Sequence, residues 1–98
     1  MTVDGTFDEA GFRAHLAARG CNTIDIVEWE PGHLSPEHSH TFTAYGLVLA
    51  GGFTLETSAG ARPLAPGDRF ELAAGIPHVE RVESQGARLL SGRIEGAT

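Results

Sequence analysis

The sequence contains no lysine, a single cysteine and no long apolar segment. Its seven arginines are scattered along the chain, and its formal net charge is −6. A nucleic-acid-binding surface needs clustered positive charge to displace counterions from phosphates, so this composition argues against a nucleic-acid partner. The apolar stretches are short and interrupted by glycine, so we also expect no membrane partner.

The single cysteine, Cys21, excludes an intrachain disulfide. We interpret it as a small, partly buried residue that follows a helix, with a reactive thiol as the alternative. The N-terminal stretch "MTVDGTFDEA" has neither a basic start nor an apolar run. It therefore does not resemble a secretory signal, and we expect a cytoplasmic protein.

The length of 98 residues suits one domain, residues 1–98. A helical pattern occurs at residues 6–20, where Thr6 and Glu9 have capping-box spacing and Phe12 and Leu16 share one face. From residue 22 onward the apolar period changes to two, and glycine-containing turns recur. The sequence predicts an all-β fold, a barrel over residues 22–95, with a short N-terminal α-helix.

Several short strands are expected within that barrel. Gly51-Gly52 is a hairpin turn signal between "HSHTFTAYGLVLAGG" and "FTLETS". "SQG" is a similar turn signal between "HVERVE" and "ARLLSGRIE". The barrel should enclose an apolar cavity, and the predicted lining is Phe42, Leu47, Leu49, Phe53, Phe70 and Leu72.

Two of the five histidines, His38 and His40, are separated by one residue. In a strand, such residues project from the same face and can approach one metal ion together. Two ligands hold an ion weakly, so a third is needed. His78, after the turn "GIP", is the best candidate, because imidazole is a common ligand of late first-row metals. The alternative is that each histidine is an ordinary residue bonded to backbone groups.

These histidines lie in a frame of glycines that resembles the two motifs of the cupin superfamily. The first runs from Gly32 through His38 and His40 to Gly52, and the second from Gly67 to "GIPH", which ends at His78. The resemblance implies a small double-stranded β-helix, or jelly-roll, barrel. It also implies a divalent transition metal (Fe, Ni, Mn, Zn or Cu) held by the three histidines, a small-molecule ligand or substrate, and a homodimer.

Tyr45 stands where the first cupin motif usually has glutamate. Three neutral histidines without a carboxylate would leave a divalent ion its full charge of +2. Tyr45 has three readings: a hydrogen-bond donor to a metal-bound group, a phenolate ligand, or an apolar wall residue. Glu80 follows His78 by two residues and so shares its face, either as a further ligand or as a general base. Alternatively, Glu80 is a rim residue paired with Arg69 or Arg81.

Three functions remain open on these observations. The first is a metalloenzyme acting on a small polar, dicarbonyl or thiol substrate, with dioxygenase-like chemistry ahead of isomerase or lyase chemistry. The second is a non-catalytic metal- or ligand-binding cupin of the sensor type. The third is a barrel with vestigial histidines whose role is assembly. Fold alone does not choose among them.

Overall fold

A computed structural model describes residues 9–94. These residues form one helix and five strands. They are α1 (Glu9–Ala18), β1 (Thr23–Trp29), β2 (Thr43–Thr57), β3 (Gly60–Leu64), β4 (Arg69–Leu72) and β5 (Val79–Ile94). The predicted all-β class with one N-terminal helix is confirmed. The predicted cap at Thr6 lies outside the described residues, and the helix ends before Gly20, whose φ of 85° suits a residue without a side chain.

The strands form one antiparallel sheet in the order β1-β5-β2-β3, and β4 also pairs with β2. The two long strands, β2 and β5, carry the architecture. The first half of β2 lies between β4 and β5, and its second half lies between β3 and β5. Along its length β2 thereby changes one of its neighbours from β4 to β3.

The predicted hairpin at Gly51-Gly52 is wrong. β2 continues through both glycines, and the pairing of β2 with β5 shifts register between Val48 and Ala50 and again between Gly51 and Phe53. Such shifts are β-bulges, which bend a strand without ending it. Gly51 has φ of 72°, and a Cβ there would lie 2.0 Å from the backbone oxygen of Gly86. Glycine at this position therefore marks a bend and a close backbone approach, and the real turn lies between Thr57 and Gly60.

The predicted turn at "SQG" is wrong for the same reason. "HVERVE" and "ARLLSGRIE" belong mainly to one strand, β5, in which Gly86 has φ of 75°. A Cβ on Gly86 would lie 2.9 Å from the carbonyl oxygen of Trp29. The sequence pattern therefore predicts four short strands where the structure has two long ones. The reason is that a glycine at a bulge and a glycine at a turn look alike in the sequence.

The two faces of the sheet have different apolar clusters. On one face α1 packs through Phe12 and Leu16 against Tyr45, Leu47 and Leu90. The other face carries a second cluster of buried residues. Its members are Val48, Phe53, Leu55, Leu64, Val82, Ala87 and Leu89. The helix thus covers one face of the sheet, and residues of the opposite face line a cavity.

Within residues 9–94, no helix has both the length and the apolar character needed to span a membrane.

Candidate metal centre

Backbone hydrogen bonds align the segment before β2 with the start of β5. The His38 N–H donates to the carbonyl oxygen of His78 at 3.0 Å, and the His78 N–H donates to that of His38 at 2.8 Å. The Gly75 N–H donates to the His40 carbonyl oxygen at 2.8 Å. Main-chain pairing therefore brings residues 38–40 beside residues 75–78.

The same alignment continues towards Glu80. The Ser35 N–H donates to the Glu80 carbonyl oxygen at 3.0 Å, and the Glu80 N–H donates to Ser35 Oγ at 2.9 Å. The sequence predicts a strand at His38 and His40. In the structure they lie instead in a segment before β2, and this pairing joins that segment to β5. This pairing still directs the side chains of His38 and His40 towards that of His78.

The three predicted histidines converge. Their ring centroids are 4.3 Å apart for His38 and His78, and 4.9 Å apart for both His38–His40 and His40–His78. With Glu80 they form a group whose ligand atoms all lie within 4.8 Å of one another. Such a group suggests a metal site.

The side chains of His38 and His78 are held in the orientation that a metal ligand needs. Nδ1 of His38 lies 2.8 Å from the carbonyl oxygen of Pro36, and Nδ1 of His78 lies 3.0 Å from that of Ile76. A carbonyl oxygen can only accept, so both Nδ1 atoms must carry the proton. In the neutral rings, Nε2 then presents a lone pair to the cluster, which is the tautomer that binds a metal.

Nε2 of His78 is a buried atom of the cluster that a bound metal ion would satisfy. The side chain is 1% exposed, and Nε2 has no hydrogen-bond partner within the described part of the chain. A buried polar atom left unsatisfied costs about 1–3 kcal/mol. Glu80 Oε2 lies 3.2 Å away, yet two lone pairs facing each other repel. A divalent ion between them would satisfy both atoms.

Glu80 places a carboxylate in the cluster, and this changes the expected charge. Its Oε2 lies 3.2 Å from His78 Nε2 and 3.6 Å from His38 Nε2. Two ligands that are each about 2.1 Å from one ion can be no more than roughly 4.2 Å apart, so both distances fit a shared ion. The cluster thus includes an acidic side chain, which agrees with one of the roles that the sequence leaves open for Glu80. A divalent ion held by these four groups would have a net charge near +1.

Glu80 is also not the rim residue of the alternative reading. Arg81 donates instead to Glu56, with Nε 2.7 Å from Oε2. The guanidinium carbon of Arg69 lies 4.9 Å from the ring centroid of Phe12, on the helix side. Neither arginine is placed to neutralise Glu80.

His40 is electrostatically favoured in its neutral form. Partial burial is the main cause that lowers the pKa of its imidazole from the ordinary value of 6.5. The neighbouring His78 and His38, when charged, lower it further. Because a metal binds the unprotonated ring, this environment favours the ligand form at neutral pH.

Tyr45 lies away from the cluster, and its predicted role as a hydrogen-bond donor to a metal-bound group does not fit its position. Its ring is 5% exposed and packs among the residues beneath α1, with the ring centroid 6.2 Å from that of His15. Ala44, the residue before it in β2, lines the cavity instead. Successive strand residues face opposite sides, so Tyr45 points to the helix.

The cavity beside the cluster has a volume of about 280 Å³. Of the predicted lining residues, Leu47 and Leu49 are not part of the wall, because they share the helix-facing side with Tyr45. The remaining four do line it. They are Phe42, Phe53, Phe70 and Leu72.

Sequence reasoning missed seven wall residues, which are Val27, Trp29, Ala44, Leu55, Leu89, Ser91 and Arg93. The last two alternate with buried residues along β5, so that Leu89, Ser91 and Arg93 share one face. A serine and an arginine on the same face as a buried leucine are the signal that could have identified them.

Comparison with solved structures supports the fold. The structure of KdgF from a Halomonas species is similar with a TM-score of 0.64 and 22% identity, over 71% of this chain and 64% of that one. A Rhizobium leguminosarum protein of unknown function gives a TM-score of 0.70 and 19% identity, over 74% and 69%. A cupin described as a sugar phosphate isomerase, from Silicibacter pomeroyi, gives 0.63 and 23%, over 74% and 49%.

This chain therefore spans less than two thirds of the Halomonas protein and about half of the Silicibacter protein. At these identities the likeness shows the fold and not the activity. A search of curated proteins finds no match.

The model of the cupin domain family matches residues 25–93, which include both histidine segments and all five strands except the first two residues of β1 and the last residue of β5. The chain belongs to the cupin family.

Proposed function

We propose that this cupin binds a divalent transition metal through His38, His40, His78 and Glu80, and that it is a metal-dependent enzyme acting on a small polar substrate. The observation that carries the proposal is the buried Nε2 of His78, which has no hydrogen-bond partner among the described residues and lies 3.2 Å from the Glu80 carboxylate. Imidazole with carboxylate is a donor set suited to Fe, Ni, Mn, Zn or Cu.

The chain's own groups prepare this site before any ion binds. The carbonyl oxygens of Pro36 and Ile76 hold the rings of His38 and His78 in the binding tautomer. Glu80 supplies one negative charge, and its carboxylate is mostly shielded from water, with 13% of the side chain exposed. A bound ion would supply Lewis-acid polarisation of a substrate oxygen or sulfur.

The apolar wall has a separate task. Phe53, Phe70 and Leu72 line the cavity next to the cluster, so they can bury the carbon skeleton of a ligand and exclude water from its polar end. The cavity volume of about 280 Å³ corresponds to roughly nine water molecules. The substrate is therefore small.

Dioxygenase-like chemistry on a thiol or dicarbonyl compound is the first reaction to test. Sites of histidine and carboxylate with open positions are typical of non-haem iron oxygenases. The argument for dioxygenase chemistry depends partly on a centre of three histidines alone, and the presence of Glu80 weakens it. Isomerase and lyase reactions are therefore the next to test. The similar Silicibacter protein is described as a sugar phosphate isomerase, which is a reason to include isomerisation in the tests.

Elemental analysis tests the metal site. Protein purified without chelators or an affinity metal should contain close to one equivalent of a divalent metal, and His78→Ala and His40→Ala should lose it. His15→Gln is the matched control, since His15 lies on α1 against Phe12 and Tyr45 and should retain the metal. Absence of metal under all loading conditions, with every variant folded, would overturn the proposal.

Oxygen consumption with a panel of thiols and β-dicarbonyl compounds then tests the activity. Uptake that needs the metal and is lost in His40→Ala supports an oxygenase. Metal binding without turnover, when product analysis by NMR also finds no isomerisation or elimination, would instead support a non-catalytic metal- or ligand-binding cupin.

A further inference from the structure

His40 differs from the other two histidines of the cluster in how its ring is held. The rings of His38 and His78 are each oriented by a contact, of 2.8 and 3.0 Å respectively, between Nδ1 and a backbone carbonyl oxygen. Within residues 9–94, neither ring nitrogen of His40 takes part in such a hydrogen bond. The plane of this ring therefore depends on packing.

That packing comes from Phe42, two residues further along the chain. The two rings lie almost parallel, with centroids 4.5 Å apart and planes inclined by 13°. The planes of His38 and His78 are inclined to that of His40 by much larger angles, 73° and 55°. Of the described rings in contact with His40, Phe42 alone is stacked on it.

Stacking suits a metal ligand because it leaves the ring nitrogens unobstructed. The lone pair of an unprotonated imidazole nitrogen lies in the plane of the ring, and a ligated ion lies in that plane too. A partner on the face fixes the direction of the plane and occupies neither nitrogen. Phe42 can therefore orient His40 as the carbonyl oxygens orient the other two rings.

A second contact helps to keep the ring of Phe42 in place. The guanidinium carbon of Arg93 lies 4.3 Å from its centroid. Arg93 is paired with Ala44, two residues after Phe42, in the register of β2 and β5. A cation over a ring is attracted by the π electrons of its face, so this contact requires no free N–H group. Phe42 thereby joins His40 to a residue of β5.

We propose that Phe42 is a positioning residue of the candidate metal centre, and that its stacked ring holds the imidazole of His40 in the plane that directs a nitrogen towards His78 and Glu80. The role in metal binding rests on the proposed function, whereas the orientation of the ring does not. The two parts can therefore be tested separately, the orientation in metal-free protein and the role in metal binding by affinity.

Three variants test this role. Phe42→Leu removes the ring and keeps an apolar side chain, whereas Phe42→Tyr keeps the ring. Phe42 is partly exposed and belongs to neither apolar cluster of the sheet, so both variants should fold, which circular dichroism checks. Phe12→Leu is the matched control, because it removes a ring that is stacked on a histidine outside the cluster, His15, with centroids 5.8 Å apart.

Proton NMR of the metal-free protein tests the orientation of the ring. Protons above an aromatic face are shielded, so the ring protons of His40 should move downfield when Phe42 is replaced by leucine. The ring protons of His38 and His78 should move much less, because backbone contacts hold their rings. Phe42→Tyr should give a spectrum like that of the wild type.

Competition for Co²⁺ with a chromogenic chelator tests the consequence for metal binding. Phe42→Leu should raise the Kd by roughly tenfold, as expected when the support of a metal ligand is removed. Phe42→Tyr and Phe12→Leu should both bind Co²⁺ as the wild type does.

The outcomes separate this proposal from the metal site itself. Unshifted ring protons of His40, or an unchanged Kd, in folded Phe42→Leu would overturn the role of Phe42. An equally large loss of affinity in Phe42→Tyr or Phe12→Leu would overturn it as well, since the stacked ring would then not be the cause. Failure of the wild type to bind Co²⁺, with the shift of the His40 protons observed, would count against the metal site alone.

Discussion

His38 and His78 face each other through two reciprocal backbone hydrogen bonds of 3.0 and 2.8 Å, and their rings lie 4.3 Å apart. They are 40 positions apart in sequence, yet the main-chain pairing places them opposite each other. The backbone pairing therefore positions the candidate metal site, and the Nδ1 contacts to Pro36 and Ile76 orient the two rings.

Metal binding should stabilise the fold. At a free metal concentration one hundred times Kd, binding to the native state alone adds about 2.7 kcal/mol. For a domain of this size that is a rise in Tm of roughly 10–20 °C. Thermal unfolding followed by circular dichroism, with and without Co²⁺, measures it. The rise should be reversed by EDTA, retained in His15→Gln and absent in His78→Ala; an equal rise in His78→Ala would show that the metal binds elsewhere.

Glu80→Gln should weaken metal binding by roughly tenfold or more, because the amide keeps the size of the side chain and loses the charge. Competition with a chromogenic chelator gives the Kd. Glu56→Gln is the control, since Glu56 pairs with Arg81 outside the cluster. An unchanged Kd in Glu80→Gln would mean that the carboxylate is not a ligand.

Gly51→Ala should cost more stability than Gly20→Ala. Both glycines have a positive φ, of 72° and 85°, so both substitutions carry a conformational cost of about 1–2 kcal/mol. A Cβ at Gly20 meets nothing within 4 Å, whereas one at Gly51 lies 2.0 Å from the Gly86 oxygen. The clash should add about 1–3 kcal/mol in urea unfolding. Equal losses in the free energy of unfolding would mean that β2 and β5 can move apart at Gly51 and Gly86 at little cost in energy.

Cys21 should react slowly with iodoacetamide. Burial raises the pKa of its thiol above the ordinary value of 9.0, so less thiolate is present at pH 8.5 than in an unfolded chain. The native state then holds its proton to higher pH, and this contribution to stability is lost as the pH rises above 9. Alkylation followed by mass spectrometry, with urea-unfolded protein as the reference, measures the rate. A native rate equal to the unfolded rate would exclude the protective effect of burial.

The metal cluster is more predictable from the sequence than the strand boundaries. His38, His40 and His78 are polar residues at fixed spacings from turn glycines, and no other histidines are arranged in this way. The membership of Glu80 follows from alternation with His78 along the start of β5. What the sequence leaves open is whether that carboxylate turns towards the histidines or towards an arginine, since this depends on contacts between distant segments.

For Tyr45, the alternation of side chains along β2 and the family resemblance predict different faces of the strand. His38, His40, Phe42 and Ala44 all line the cavity, so the period of two holds from the histidines into β2. Extending it places Tyr45 on the opposite face, beneath α1. The resemblance assigns Tyr45 to the position of a ligand, and the simpler physical pattern gives the correct face.

Because the pairing between residues 33–40 and 75–82 is made mainly by peptide groups, the scaffold does not depend on the identity of the side chains that it presents. A variant with all three imidazoles replaced should still fold into the same frame. New donor atoms could then be introduced at these positions, so one architecture can be given different chemistry without being rebuilt.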